Sequence, residues 1–144
     1  MIAIDTNILV YAHRADSVFH ASACERVREL AEGSVAWAIP WPCIHEFYGI
    51  VTHPRIYDPP TPMAKVLDQI DAWLQSPTLV LLAESDVHWP ALRRLLATSK
   101  AHGPRVHDAR IATLCLTHSV SELWSADRDF SRFTDLRVRN PLCG

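Results

Sequence analysis

The chain has no apolar run approaching the roughly 18 to 20 residues that cross a bilayer, and no basic segment precedes its first apolar residues, Ile2-Ala3-Ile4. Neither a membrane span nor a secretory signal is therefore expected, and the expected location is the cytoplasm. Cysteine is sparse: Cys24, Cys43, Cys115 and Cys143 lie far apart with no C-x-x-C pair, which argues against a zinc or disulfide framework. They read as reduced residues, mostly packed in the core. No H-x-x-x-H spacing marks a metal site among the histidines. Internal repeats, low-complexity tracts and linkers are also missing, so residues 1–144 are expected to form one domain.

The composition, 49% hydrophobic and 21% charged, is that of an ordinary globular domain with enough apolar material for a real core. A net charge of −2 does not by itself point to nucleic acid. Its distribution is uneven, however: residues 1–92 hold 5 Lys/Arg against 11 Asp/Glu, and residues 93–144 hold 9 against 5. A basic face for phosphates and ordinary solvated helix surfaces both fit that asymmetry.

Strand-like and helix-like segments alternate, which predicts an α/β fold of three layers, with helices flanking a mainly parallel sheet of four or five strands. Strands are expected at Ile2–Asp5, Ala36–Ile39, Leu79–Leu82 and Glu122–Ser125, with a fifth at Leu136–Arg139. The continuous apolar run Leu79-Val80-Leu81-Leu82 suits a buried parallel strand. Helices are expected over Thr6–His13, His20–Glu32, Trp41–Thr52, from Thr61 or Pro62 to Gln75, Asp86–Ser99 with Asp86 as cap, and Arg105–His118. The proline-rich stretch His53–Pro62 reads as a loop.

Several carboxylates fall in positions that ordinary packing does not favour. Asp5 ends the first strand and opens the first helix, so it suits both a helix N-cap and the C-terminal sheet edge where α/β folds bind ligands. Asp108 shares a helical stripe with Ile111, Ala112 and Cys115, an apolar face where a charge needs a partner, a metal or the helix dipole. Arg105, three residues earlier, is one such partner. Glu46 has Cys43, Gly49 and Ile50 as helical neighbours, none of them basic, and the small Gly49 leaves room beside it. Asp127 and Asp129 follow a strand end, as Asp5 does, in a turn that favours Asp anyway. Should these acids converge, each pair at ~4 Å would repel by about 4 kcal/mol at an effective dielectric near 20. A divalent cation reverses that sign, and oxygen donors without His or Cys suit Mg²⁺ or Mn²⁺ better than zinc.

In order and spacing, Ile4-Asp5-Thr6-Asn7, Glu46, His107-Asp108-Ala109 and Ser125-Ala126-Asp127-Arg128-Asp129-Phe130 resemble the PIN-domain nucleases, and more narrowly the VapC-type toxins of bacterial toxin–antitoxin pairs. The resemblance runs from Met1 to Val138-Arg139-Asn140-Pro141. It implies a metal-dependent ribonuclease whose four acids match Asp5, Glu46, Asp108 and Asp127, with Asp129 as a variable extra acid. Asp5, Asp108 and Asp127 would hold Mg²⁺ (or Mn²⁺), Glu46 would complete the site, and Thr6, Asn7 and Ser125 match its flanking polar positions. It also implies an RNA substrate, products with a 5′-phosphate and a 3′-hydroxyl, a small antitoxin partner and a homodimer. Arg105, Arg110 and Arg128 lie near the acids in sequence, to contact RNA phosphates or to pair with the acids themselves. His107 is expected on another helix face, and Trp41, Phe47, Tyr48 and Trp124 are read as core rather than as a base-stacking platform.

Two enzyme classes that also place Asp after the first strand fit less well. A haloacid-dehalogenase-type phosphotransferase needs a second Asp where Asn7 stands, and a response-regulator receiver needs a preceding acid pair and a suitably placed lysine. A non-catalytic module that binds RNA or protein on the same fold is the remaining alternative.

Overall fold

The computed structural model describes residues 1–143. Five strands form one parallel sheet: β1 (Ile2–Ile4), β2 (Trp37–Pro40), β3 (Leu79–Leu82), β4 (Glu122–Trp124) and β5 (Val138–Arg139), in the order β3-β2-β1-β4-β5. Six helices connect them: α1 (Thr6–His13), α2 (His20–Glu32), α3 (Trp41–Val51), α4 (Met63–Leu74), α5 (His88–Ser99) and α6 (Val106–Thr117). The chain steps outward from β1 to β2 to β3, then returns to the other side of β1 with β4 and β5. Right-handed crossovers put the helices of the outward and return steps on opposite faces. The helix contacts follow that division, α1 through α4 packing as one set and α5 with α6 as another. The strand order therefore reverses between β1 and β4, where Ile4 sits in register with Trp124. Such a reversal opens a crevice beyond the carboxyl ends of the two strands.

Local sequence explains most boundaries. Asp5 caps α1, its side chain accepting from the Thr6 N–H, and Pro42 occupies the first turn of α3, where no intrahelical N–H is needed. Gly33 ends α2 so close to the Glu29 carbonyl that a Cβ there would lie 2.8 Å from that oxygen. Trp37 and Phe47 are fully buried; the Trp37 indole donates to Ser76 Oγ at 3.1 Å, and Phe47 meets Trp73 edge-on with centroids 4.8 Å apart. Phe47 and Trp124 lie in the core as expected, with Trp41 and Tyr48 partly buried against it. Among the described residues no helix is long and apolar enough to cross a membrane.

Two local expectations fail. β3 is the sheet's edge rather than an interior strand, so Val80 is 39% exposed despite its all-apolar neighbours. Asp86 does not cap α5: the cap position is Val87, without a side-chain bond, because the helix begins two residues later than the acid. All four cysteines are free, with Cys43 and Cys115 buried, Cys24 partly buried and Cys143 exposed, so the core claims two of them rather than most.

Candidate active site

The crevice beyond β1 and β4 holds Asp5, the first of the acids. Asp5 is only 4% exposed, and its carboxylate collects four neutral donors. Thr6 N–H and Ser125 Oγ donate at 2.8 and 2.7 Å, Asn7 Nδ2 donates at 3.2 Å, and the Cys43 thiol approaches to 3.7 Å. Burial is the largest influence on Asp5 and lifts its pKa from 3.8 to about 6 against the pull of those donors, with Glu46 and Asp108 adding like-charge repulsion. Burial also raises the Cys43 thiol well above its usual range, so Cys43 remains a proton donor toward Asp5. Asn7 ties the strand ends together: its amide reaches Ser125 Oγ at 3.3 Å, and its carbonyl accepts from Ala126 N–H at 3.0 Å.

The other acids come from α3, α6 and the turn after β4. Glu46 accepts from Thr6 Oγ1 at 2.9 Å, which links it to the Asp5 side of the crevice. Asp108 lies in the first turn of α6, with Ile111, Ala112 and Cys115 of its stripe buried beneath it. Asp127 opens the 3-10 turn Arg128–Arg132 and accepts from Asp129 N–H at 2.8 Å. One oxygen each from Asp108, Asp127 and Asp129 lie within 4.8 Å of one another, so the turn brings Asp129 beside the two acids expected there. Asp5 is more deeply buried than that trio and lies outside their cluster, with Asp108 the one member whose charge bears on it. Burial first, then Asp127, raises the Asp108 pKa, while Arg105 opposes the rise.

Cationic compensation is thin. Arg105 pairs with Asp129 and approaches Asp108 at 3.6 Å. Arg110 turns to Glu84 at 2.7 Å instead of the acids, and Arg128 makes no ion pair among the described residues. Asp5 receives no cation at all, only neutral donors. A cluster of carboxylates this poorly neutralised, with oxygen as its donor atom, fits a hard divalent cation such as Mg²⁺ or Mn²⁺.

Two clefts flank the acids. One of about 640 Å³ is lined by Glu46 and Asp108 together with His45, Gly49, His53 and His107. The other, about 700 Å³, runs from Ser125 and Asp127 past Arg128 to Asn140. His107 is exposed on the first of these, facing the cleft rather than the core. Sequence reasoning missed both the Cys43 contact with Asp5 and this gathering of histidines. The i−3 spacing of Cys43 from Glu46 was the one available hint to the thiol; the histidines come from separate elements and left none.

The loop that carries His53 is anchored from α1. Arg14 pairs with Asp16 and donates to the Pro59 carbonyl at 3.0 Å and to Thr61 Oγ1 at 3.2 Å, and its guanidinium lies 4.1 Å from the Tyr57 ring centroid. Thr61 N–H also bonds the Val51 carbonyl at 2.8 Å. Arg14→Ala removes the contacts to residues 57, 59 and 61 together, so limited proteolysis is expected to nick the 53–62 segment faster than in wild type. Unchanged nicking would show that backbone bonds alone hold the loop.

A parallel sheet whose order reverses beside a cluster of carboxylates defines an α/β domain with an acidic site at its switch point. Residues 2–136 match the PIN domain family, and the chain belongs to it. It is 36% identical to Ribonuclease VapC43 of Mycobacterium tuberculosis over 144 residues, which cover 100% of this chain and 97% of that one. Solved structures with the same fold include VapBC2 from Rickettsia felis bound to a DNA fragment from its promoter (TM-score 0.67, 19% identity, 96% of this chain and 98% of that one). A second is VapC20 of M. tuberculosis, a sarcin-ricin loop cleaving toxin (TM-score 0.64, 15% identity, 91% and 93%).

Proposed function

We propose that the chain is a metal-dependent endoribonuclease that serves as the toxin of a toxin–antitoxin pair in the cytoplasm. The observation that carries this reading is the cluster of Asp108, Asp127 and Asp129, one oxygen of each within 4.8 Å of the others, with Arg105 as its cationic partner. The buried Asp5, itself under the influence of Glu46 and Asp108, lies nearby. The similarity to VapC ribonucleases over the whole chain supports the substrate class. Asp5, Asp108 and Asp127 would hold Mg²⁺ or Mn²⁺, Glu46 would complete the site, and Asp129 is a further ligand candidate. When bound, the ion would acidify a water, orient the scissile phosphate and offset charge that builds during in-line displacement.

The chain's own residues set up that chemistry. Ser125, Asn7 and the Thr6 N–H fix both Asp5 oxygens, and Thr6 Oγ1 aims the Glu46 carboxylate. Arg105, two-fifths exposed, has the reach to leave its acids for a phosphate. Water attack with departure of the 3′ oxygen leaves a 5′-phosphate and a 3′-hydroxyl. A small antitoxin covering the crevice and a homodimer complete the proposed assembly.

Purified protein freed of any bound partner, incubated with total RNA, should cleave in Mg²⁺ or Mn²⁺ and stop on chelation, with mapped ends bearing 5′-phosphates. No cleavage with either ion would overturn the nuclease reading and leave the non-catalytic binding module.

A further inference from the structure

We propose that the cleft between α3, α6 and the 53–62 loop is a pocket for one unpaired nucleobase of the RNA, read by His45, His53 and His107; this rests on the ribonuclease reading above. Glu46 and Asp108 form part of the same wall, so a base seated there belongs to a nucleotide next to the scissile phosphate. The cleft's volume, about 640 Å³, is in the range of small-molecule sites and is ample for one nucleotide.

Its lining has the two chemistries a base needs. Ile50 and Ile56 supply apolar surface, Ile56 being 54% exposed. The three imidazoles supply polar edges, since a neutral ring both donates and accepts. His45 and His107 make no hydrogen bond among the described residues, and His53 uses only Nδ1, which accepts from the Arg55 N–H. His45 is steadied by Trp41, their rings 6.1 Å apart and inclined by 30°. Gly49 leaves the floor open, with nothing within 4 Å of where its Cβ would be.

The pocket is also pre-shaped. The Arg14 anchor and the turn in which Ile56 and Tyr57 N–H bond the His53 carbonyl hold the loop in place, so little ordering is required on binding. A concave cleft takes an unstacked base; an A-form duplex keeps its bases stacked and their major-groove edges out of reach of side chains. Loops and bulges are therefore the chemical class of substrate that this pocket fits.

The test uses His53→Ala and Ile56→Ala, which lie on the loop and not among the acids. With Mn²⁺ and a single-stranded RNA that wild type cleaves, each variant should raise KM by about tenfold with kcat little changed. The nucleotide preference beside the cut in total RNA should relax. Unchanged KM and an unchanged preference would overturn the pocket while leaving the nuclease intact. If wild type cleaves nothing, the nuclease reading fails separately, and fluorescence anisotropy of a short single-stranded RNA in EDTA decides the pocket. Weaker binding by the double variant supports it; equal binding, or weakened capture of a protein partner only, overturns it.

Discussion

Asp5→Asn is expected to lower metal-dependent RNA cleavage on the order of 10³-fold while leaving the fold in place. Asparagine keeps the shape of the side chain, and its amide oxygen can still accept from the Thr6 N–H that starts α1, while its NH2 can donate to Ser125 Oγ once that hydroxyl turns round, leaving only Asn7 Nδ2 without its acceptor. What it removes is the charge at the most deeply buried oxygen pair of the site. Alanine should abolish cleavage as well, but it also takes away the helix cap, worth about 1 kcal/mol, and leaves Ser125 Oγ and Asn7 Nδ2 without their acceptor. The asparagine variant is therefore the cleaner reporter. Cleavage at wild-type rates by a folded Asp5→Asn protein would remove Asp5 from the proposed metal set.

The second large effect is on stability. In the metal-free protein the Asp5 pKa lies near 6 instead of 3.8. The folded state therefore holds more protons than the unfolded state across that window, and stability falls as pH rises through it. At pH 7.5 the full penalty is present, about 3 kcal/mol. For a chain of this size that corresponds to a Tm lower by very roughly 6 to 12 °C than with Asp5 protonated. Asp108 is shifted in the same direction. Asp16, held down by Arg14, has the opposite sign but is common to both proteins, so it cancels between wild type and Asp5→Asn. In EDTA the variant should thus melt above wild type at pH 7.5, with the gap narrowing as pH falls below 6 and closing only near the unfolded value of 3.8. Mn²⁺ should raise the wild-type Tm at pH 7.5, by about 2.7 kcal/mol of stability at a hundredfold excess over Kd, and should raise the variant much less. A wild-type protein that melts at or above Asp5→Asn in EDTA at pH 7.5 would contradict the buried-charge account. Equal Mn²⁺ increments in the two proteins would contradict ion binding at Asp5.

What the sequence made legible follows from how local each signal is. Thr6–His13 and His20–Glu32 were predicted to the residue, because an acid cap before one and a glycine after the other mark the boundaries within a turn. The parallel sheet followed from strand–helix alternation. The place of β3 did not: an apolar run of four residues reads the same at an edge as in the middle, and only the sheet order exposes Val80. The acids stood out singly through strand ends and helix stripes. Their partners did not, because Arg105 meets Asp129 across 24 residues and Cys43 meets Asp5 across 38. The histidine pocket was the least visible of all. It depends on where a proline-rich loop is pinned, and that is decided by Arg14, the residue that follows α1.

The pairing of β1 with β4 has a further consequence. The hydrogen bond from Ser125 to Asp5 joins positions 120 residues apart, and Asp108, Asp127 and Asp129 also lie in the last third of the chain. Synthesis runs from the N-terminus, so a ribosome making this protein holds Asp5 and Glu46 long before their counterparts exist. Until β4 emerges and docks, the nascent chain holds Asp5 without its Ser125 donor and without the acids of α6 and the following turn. Strand order thus makes completion of the acidic site wait for the β4 segment and the turn that follows it.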